Sequence, residues 1–137
     1  MAQSITGGCA CGAIRYEATA DPVVMVNCHS RDCQRSAGGG YAAIMVVPQA
    51  SVKMTGEPRY YKTIGDSGMA VERGFCPNCG SPVTAKLERL PDVLGLTAAS
   101  LDDPSLYKPS VDIFTSRAQP WVTMHADTQK YPAGMFG

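Results

Sequence analysis

The chain has 137 residues, 45% of them hydrophobic, with twelve Lys and Arg against twelve Asp and Glu. That length holds one domain, residues 1–137, since single cores usually run to roughly 100 to 200 residues. A formal net charge of zero excludes whole-protein steering onto nucleic acid or an anionic membrane, and the apolar share excludes a disordered chain.

The segment Met1 to Gly8 has neither a basic start nor a continuous apolar stretch, and no later run approaches the roughly 18 apolar residues of a membrane span. A cytoplasmic protein without a membrane partner is expected. Gly8-Cys9-Ala10-Cys11-Gly12 then forms a glycine-flanked bend. Ala13 to Thr19 alternates Ile14, Tyr16 and Ala18 against Arg15, Glu17 and Thr19, the period-two pattern of a strand with one wet face. Val23 to Val26 is a second short apolar run. Ser30 to Ser36 predicts one short helix, stopped by Gly38, Gly39 and Gly40.

Further strands are expected over Tyr41 to Val47, Arg59 to Ile64, Met69 to Phe75, Val83 to Leu87 and Val93 to Ala98, with Val111 to Thr115 as a returning strand. The turns between them fall at Pro48, Gly56-Glu57-Pro58, Gly65-Asp66-Ser67-Gly68, the Cys76 turn and Leu90-Pro91-Asp92. Six or seven strands, fourteen Gly and ten Pro describe a mainly β, loop-rich domain. Asp102 to Pro109 carries surface-loop signals.

Cys76-Pro77-Asn78-Cys79-Gly80 puts two thiols in a turn where both sulfurs face one centre, and Cys9 and Cys11 supply a partner pair. Without a secretion signal, metal binding is favoured over disulfides. Four thiolates close a tetrahedral zinc and leave no open position, which implies a structural ion. Thiolate ligation alone does not separate zinc from iron. The remaining two cysteines fall in Asn27-Cys28-His29-Ser30-Arg31-Asp32-Cys33-Gln34-Arg35, beside one of the two histidines.

The opening Gly8 to Gly12, the Cys28-His29 segment ending in Cys33, the Phe75 to Ser81 knuckle, the Leu101-Asp102-Asp103 turn and Pro120-Trp121 resemble the glutathione-dependent formaldehyde-activating enzyme family, which includes centromere protein V. The resemblance implies a zinc-stabilised β-fold of the β-tent type, similar to a Rab-associated zinc-binding protein. It also implies structural zinc on Cys9, Cys11, Cys76 and Cys79, and carbon–sulfur lyase activity on adducts of glutathione or a similar thiol with formaldehyde or another small electrophile, without an organic cofactor.

In the family, three thiolates hold a second zinc, and here the middle one is Ser30. A hydroxyl is a poor zinc ligand near neutral pH, so the second zinc would rest on Cys28 and Cys33. His29 could complete it, a water could, or the site could stay empty. The catalytic set implied is Cys28, His29, Ser30 and Cys33, with Arg31 and Arg35 meeting the carboxylates of the thiol and Gly38 to Gly40 offering backbone N–H groups. The alternative is a non-catalytic module that binds a thiol or protein through a degenerate second site. His125 reads as a surface or core histidine, Trp121 as an apolar anchor for the C-terminal stretch, and Tyr60 and Tyr61 as one core-facing and one solvent-facing ring.

Overall fold

The computed structural model describes residues 4–65 and 68–135. Asp66 and Ser67 of the predicted turn lie outside the described residues, as do residues 1–3 of the opening segment. Eleven strands are present among those described: β1 (Ile5–Gly8), β2 (Arg15–Ala18), β3 (Val24–Cys28), β4 (Ala42–Pro48), β5 (Val52–Thr55), β6 (Arg59–Ile64), β7 (Ala70–Phe75), β8 (Pro82–Leu87), β9 (Val93–Thr97), β10 (Val111–Ile113) and β11 (Gln129–Lys130). One α-helix, α1 (Arg31–Ala37), follows β3.

Strands β1, β2 and β5 form a small antiparallel sheet, while the others form an eight-stranded sheet in the order β11-β10-β3-β4-β9-β8-β7-β6. Within the larger sheet β10 runs parallel to both β3 and β11, and the remaining pairs are antiparallel. The main core lies between the two sheets. Ile14, Tyr16 and Ala18 from the β2 side meet Met45, Val47, Val83, Leu94 and Leu96 of the larger sheet, with Cys9 and Cys76 in the same cluster. The period-two pattern of β2 is seen directly: Tyr16 and Ala18 are buried, Arg15 and Glu17 exposed.

Two close approaches lock the sheets together. The Tyr16 hydroxyl lies 2.6 Å from Ser100 Oγ, and a Cβ on Gly7 would come within 2.4 Å of both the Ser100 carbonyl and the Tyr16 hydroxyl. Gly7 therefore admits no side chain. Asp102 accepts from Thr6 Oγ1 at 2.7 Å and from both Arg15 guanidinium nitrogens. The guanidinium, with help from the Thr6 hydroxyl, holds this carboxyl down to about 2.

The strand count exceeds the expected six or seven for local reasons. β1 contains two glycines, β5 follows a tight 3-10 turn over Gln49–Ser51, and β11 has only two residues. None of these offers an alternating apolar run long enough to read. β6 has the predicted boundaries, and its two tyrosines divide as expected, Tyr60 half-buried beneath Lys86 and Tyr61 exposed.

Candidate functional site

Two knuckles converge where β1 and β7 end. In the first, Gly12 N–H donates to the Cys9 carbonyl at 3.2 Å, and in the second Gly80 N–H donates to the Cys76 carbonyl at 2.8 Å. Gly12 and Gly80 both adopt positive φ, +81° and +80°, which glycine takes without the Cβ penalty. Ala10 N–H donates to Ser81 Oγ at 3.0 Å and ties one knuckle to the other.

The sulfurs of Cys9, Cys11, Cys76 and Cys79 all lie within 4.8 Å of one another, with 3.6 Å from Cys9 to Cys11 and 3.8 Å from Cys11 to Cys76. A tetrahedron of ~2.3 Å metal–sulfur bonds has edges of about 3.8 Å, so the set fits a four-coordinate metal. Donors surround the sulfurs: Ile14 N–H to Cys9 at 3.2 Å, Asn78 Nδ2 to Cys11 at 3.2 Å, and the Asn78 and Cys79 N–H groups to Cys76 at 3.4 and 3.5 Å. The Ser81 hydroxyl and backbone bring the Cys79 thiol down to about 5. Such donors favour thiolates, the form a metal requires. Among the described residues this is the only group of three or more His, Cys, Asp or Glu placed to hold a metal ion.

The second constellation is split by the strand it sits on. Side chains alternate across β3, so Asn27 and His29 share one side and Cys28 takes the other. Cys28 and Cys33 are both buried, packed with Ala42 and against Ile44, Ile113 and Phe114. Ser30 is the N-cap of α1: its Oγ accepts from Cys33 N–H at 3.2 Å and from the Cys28 thiol at 3.4 Å. The two thiols are shifted in opposite directions: the neighbouring Cys33 and burial push Cys28 up, while Cys28, Ser30 and the Arg73 guanidinium at 3.6 Å bring Cys33 down to about 6.

This arrangement does not fit a second three-ligand metal. Ser30 Oγ is occupied in capping, and His29 turns away to another partner. Ser30→Ala is expected to cost about 1 kcal/mol of stability through loss of the cap, read as a lowered urea midpoint with unchanged m-value.

His29 is fully buried, and its Nε2 lies 2.6 Å from Oδ1 of the equally buried Asp112 on β10. Thr128 Oγ1 donates to Asp112 Oδ2, and the Tyr107 hydroxyl donates to Asn27 Oδ1 at 2.6 Å. Burial raises the Asp112 carboxyl, but the Thr128 and His29 bonds outweigh it and leave the group below its ordinary value. His29 Nδ1 is the one buried side-chain polar atom without a hydrogen-bond partner among the described residues. Leaving such an acceptor unsatisfied costs about 1–3 kcal/mol, which calls for an explanation.

A cavity of about 280 Å³ adjoins this network, lined by Asn27, His29, Tyr41, Asp112, Thr123 and His125 among others. The chain's two histidines, 29 and 125, thus meet at one cavity. Gln34, buried on α1, fixes this end of β3 by donating to the His29 carbonyl at 2.8 Å and to the Arg117 carbonyl at 3.1 Å.

Several expectations change. Arg31 and Arg35 are exposed and do not line the cavity, Arg31 donating to Gln34 Oε1. The Gly38 and Gly39 N–H groups are taken by the Gln34 carbonyl at 2.9 and 3.3 Å, and at Gly40 a Cβ would strike Val122 at 2.2 Å. These glycines close the helix and admit the Trp121-Val122 segment. Trp121, expected as an apolar anchor for the C-terminal stretch, is 69% exposed. His125 is exposed, as read, yet lines the cavity.

Asp112, Arg73 and Tyr41 escaped the sequence reading. The only signal for Asp112 was an acid inside the apolar run Val111 to Ile113, and for Arg73 a cation within a strand. The partner of Asp112 is not visible without the pairing of β10 with β3, nor that of Arg73 without the approach of β7 to α1.

The sequence matches the family described as glutathione-dependent formaldehyde-activating enzyme over residues 4–117. A crystal structure of a Rhodobacter sphaeroides protein superposes with a TM-score of 0.58 at 19% identity, over 76% of this chain and 96% of that one. That likeness shows the fold. No curated protein matches the sequence.

Proposed function

Because the chain belongs to the glutathione-dependent formaldehyde-activating enzyme family, we propose that it is a carbon–sulfur lyase-like enzyme that makes and breaks the adduct of glutathione, or a similar small thiol, with formaldehyde or another small carbonyl electrophile. The observation that carries this reading is the cavity at the end of β3, beside the residues that make up the family's thiol motif. Reversible addition of a thiol to a carbonyl needs one proton moved and one sulfur placed, with no redox change. The cavity wall offers imidazole and hydroxyl groups suited to that step.

Zinc is the ion proposed for Cys9, Cys11, Cys76 and Cys79, where it would supply a fixed tetrahedral cross-link between distant segments. At the β3–α1 turn, Cys28, Ser30 and Cys33 are proposed to hold the reactive end of the strand, with His29 facing the cavity. Arg31 and Arg35 are proposed as exposed cations for the carboxylates of the thiol, bound from the helix side. The reaction unit is proposed to be the single domain of residues 1–137.

A second reading, a thiol-binding module without turnover, is favoured by one observation: the Ser30 side chain caps α1 and is not free as a third ligand beside Cys28 and Cys33. Exchange spectroscopy separates the two. With 13C-formaldehyde and glutathione, the enzyme reading expects faster exchange between free and adduct signals than in buffer alone. Line broadening of glutathione with no gain in exchange rate would establish the binding reading instead.

A further inference from the structure

We propose that His29, oriented by Asp112, is the base that takes the hydroxyl proton of the thiol–aldehyde adduct, an inference that rests on the lyase reading above. Nε2–H is committed to Asp112 Oδ1 at 2.6 Å, so the tautomer leaves a lone pair on Nδ1. That nitrogen has no partner among the described residues. An Asp–His pair retained only for packing would be expected to use both nitrogens; here one is left over on a fully buried ring beside the cavity, so a ligand in the cavity reaches it once the ring is uncovered there.

A lone pair selects the chemistry of its ligand. It accepts from O–H or S–H and repels a carboxylate or a phosphate oxygen that carries no proton. The hydroxyl of an S-(hydroxymethyl) thiol meets that requirement, whereas the carboxylates of a tripeptide do not. Tyr41, its ring centroid 5.2 Å from that of His29, stands at the cavity side. The Asp112–Thr128–Asn27–Tyr107 bonds fix the carboxylate behind the ring, as an orienting group behind a catalytic histidine requires.

In the cleavage direction, Nδ1 takes the adduct's O–H proton, the oxygen lone pair forms the C=O bond, and the C–S bond breaks with its electron pair leaving on sulfur. Formaldehyde and thiolate are the products, and the imidazolium returns its proton to the thiolate. Addition is the reverse, so protons and electrons balance without a metal or an oxidant.

Two measurements test the assignment. The first compares adduct exchange in wild type and His29→Asn or His29→Gln, each confirmed as folded by its melting curve. The expected result is a loss of kcat of at least about 10²-fold with KM within a few-fold, partly restored by added imidazole. A folded variant that retains the wild-type kcat would overturn the proposal.

The second follows the 15N resonance of His29 Nδ1 in the wild type while S-(2-hydroxyethyl)glutathione, a stable hydroxyl-bearing analogue, is added. A shift that S-ethylglutathione does not produce supports the acceptor role, and equal or absent shifts contradict it. If the wild type itself gives no exchange, the lyase reading fails and the base with it. The resonance shift then decides separately whether Nδ1 is a hydroxyl acceptor.

Discussion

Cys76→Ser is expected to yield a chain that retains no metal and loses most of its cooperative melting transition. Cys76 is almost completely buried, packs in the main core, and its sulfur accepts two backbone N–H groups. Apparent binding energies of structural zinc reach about 10–16 kcal/mol, against a total stability of about 5–15 kcal/mol for a typical domain. The site joins segments 65 residues apart, and without it the two knuckles keep only weak links such as Ala10 to Ser81. Metal content measured by plasma emission and a melting scan on the same sample check this. A fully folded, metal-free variant would show that the two sheets hold without the ion.

Asp112→Leu should be the next most damaging change. The carboxylate is fully buried between His29 and Thr128, and removing one partner of a buried pair typically costs about 3–5 kcal/mol because the other is left uncompensated. β10 has three residues and is held between β3 and β11, so the loss should also loosen β11. Denaturant unfolding gives the magnitude, and hydrogen exchange at Tyr131 N–H, which bonds the Asp112 carbonyl at 2.9 Å, gives the place. The pH dependence has a definite sign. Asp112 is held below its ordinary value, so its contribution is present above the normal carboxylate range and is lost as the pH falls through the lowered folded value.

The four-cysteine cluster was legible because its signal is local. Each cysteine pair lies within a short turn marked by Gly, Pro and Asn, and only their meeting depends on the fold. β6 and β2 were legible because alternation or flanking turns bound them. β1, β5 and β11 were not, since Gly7 and Gly8 have no side chains to alternate and β11 exists only as a partner for β10.

At the candidate site, the residues were found but not their division. The sequence gathers Cys28, His29, Ser30 and Cys33 in one short segment, whereas strand geometry sends Cys28 and His29 to opposite sides and the helix claims Ser30 as its cap. Asp112 and Arg73 come from 83 and 40 residues away from their partners. Such long-range pairings are set by sheet order, which no local pattern encodes.

Adduct chemistry performed without a second metal is the central expectation. The direct test is a metal-to-protein ratio and an exchange rate for 13C-formaldehyde and glutathione, measured on one preparation purified without added metal. One zinc per chain together with exchange clearly faster than in buffer is the expected result. Two zinc ions per chain, or a rate that appears only after zinc is added beyond one equivalent, would contradict it.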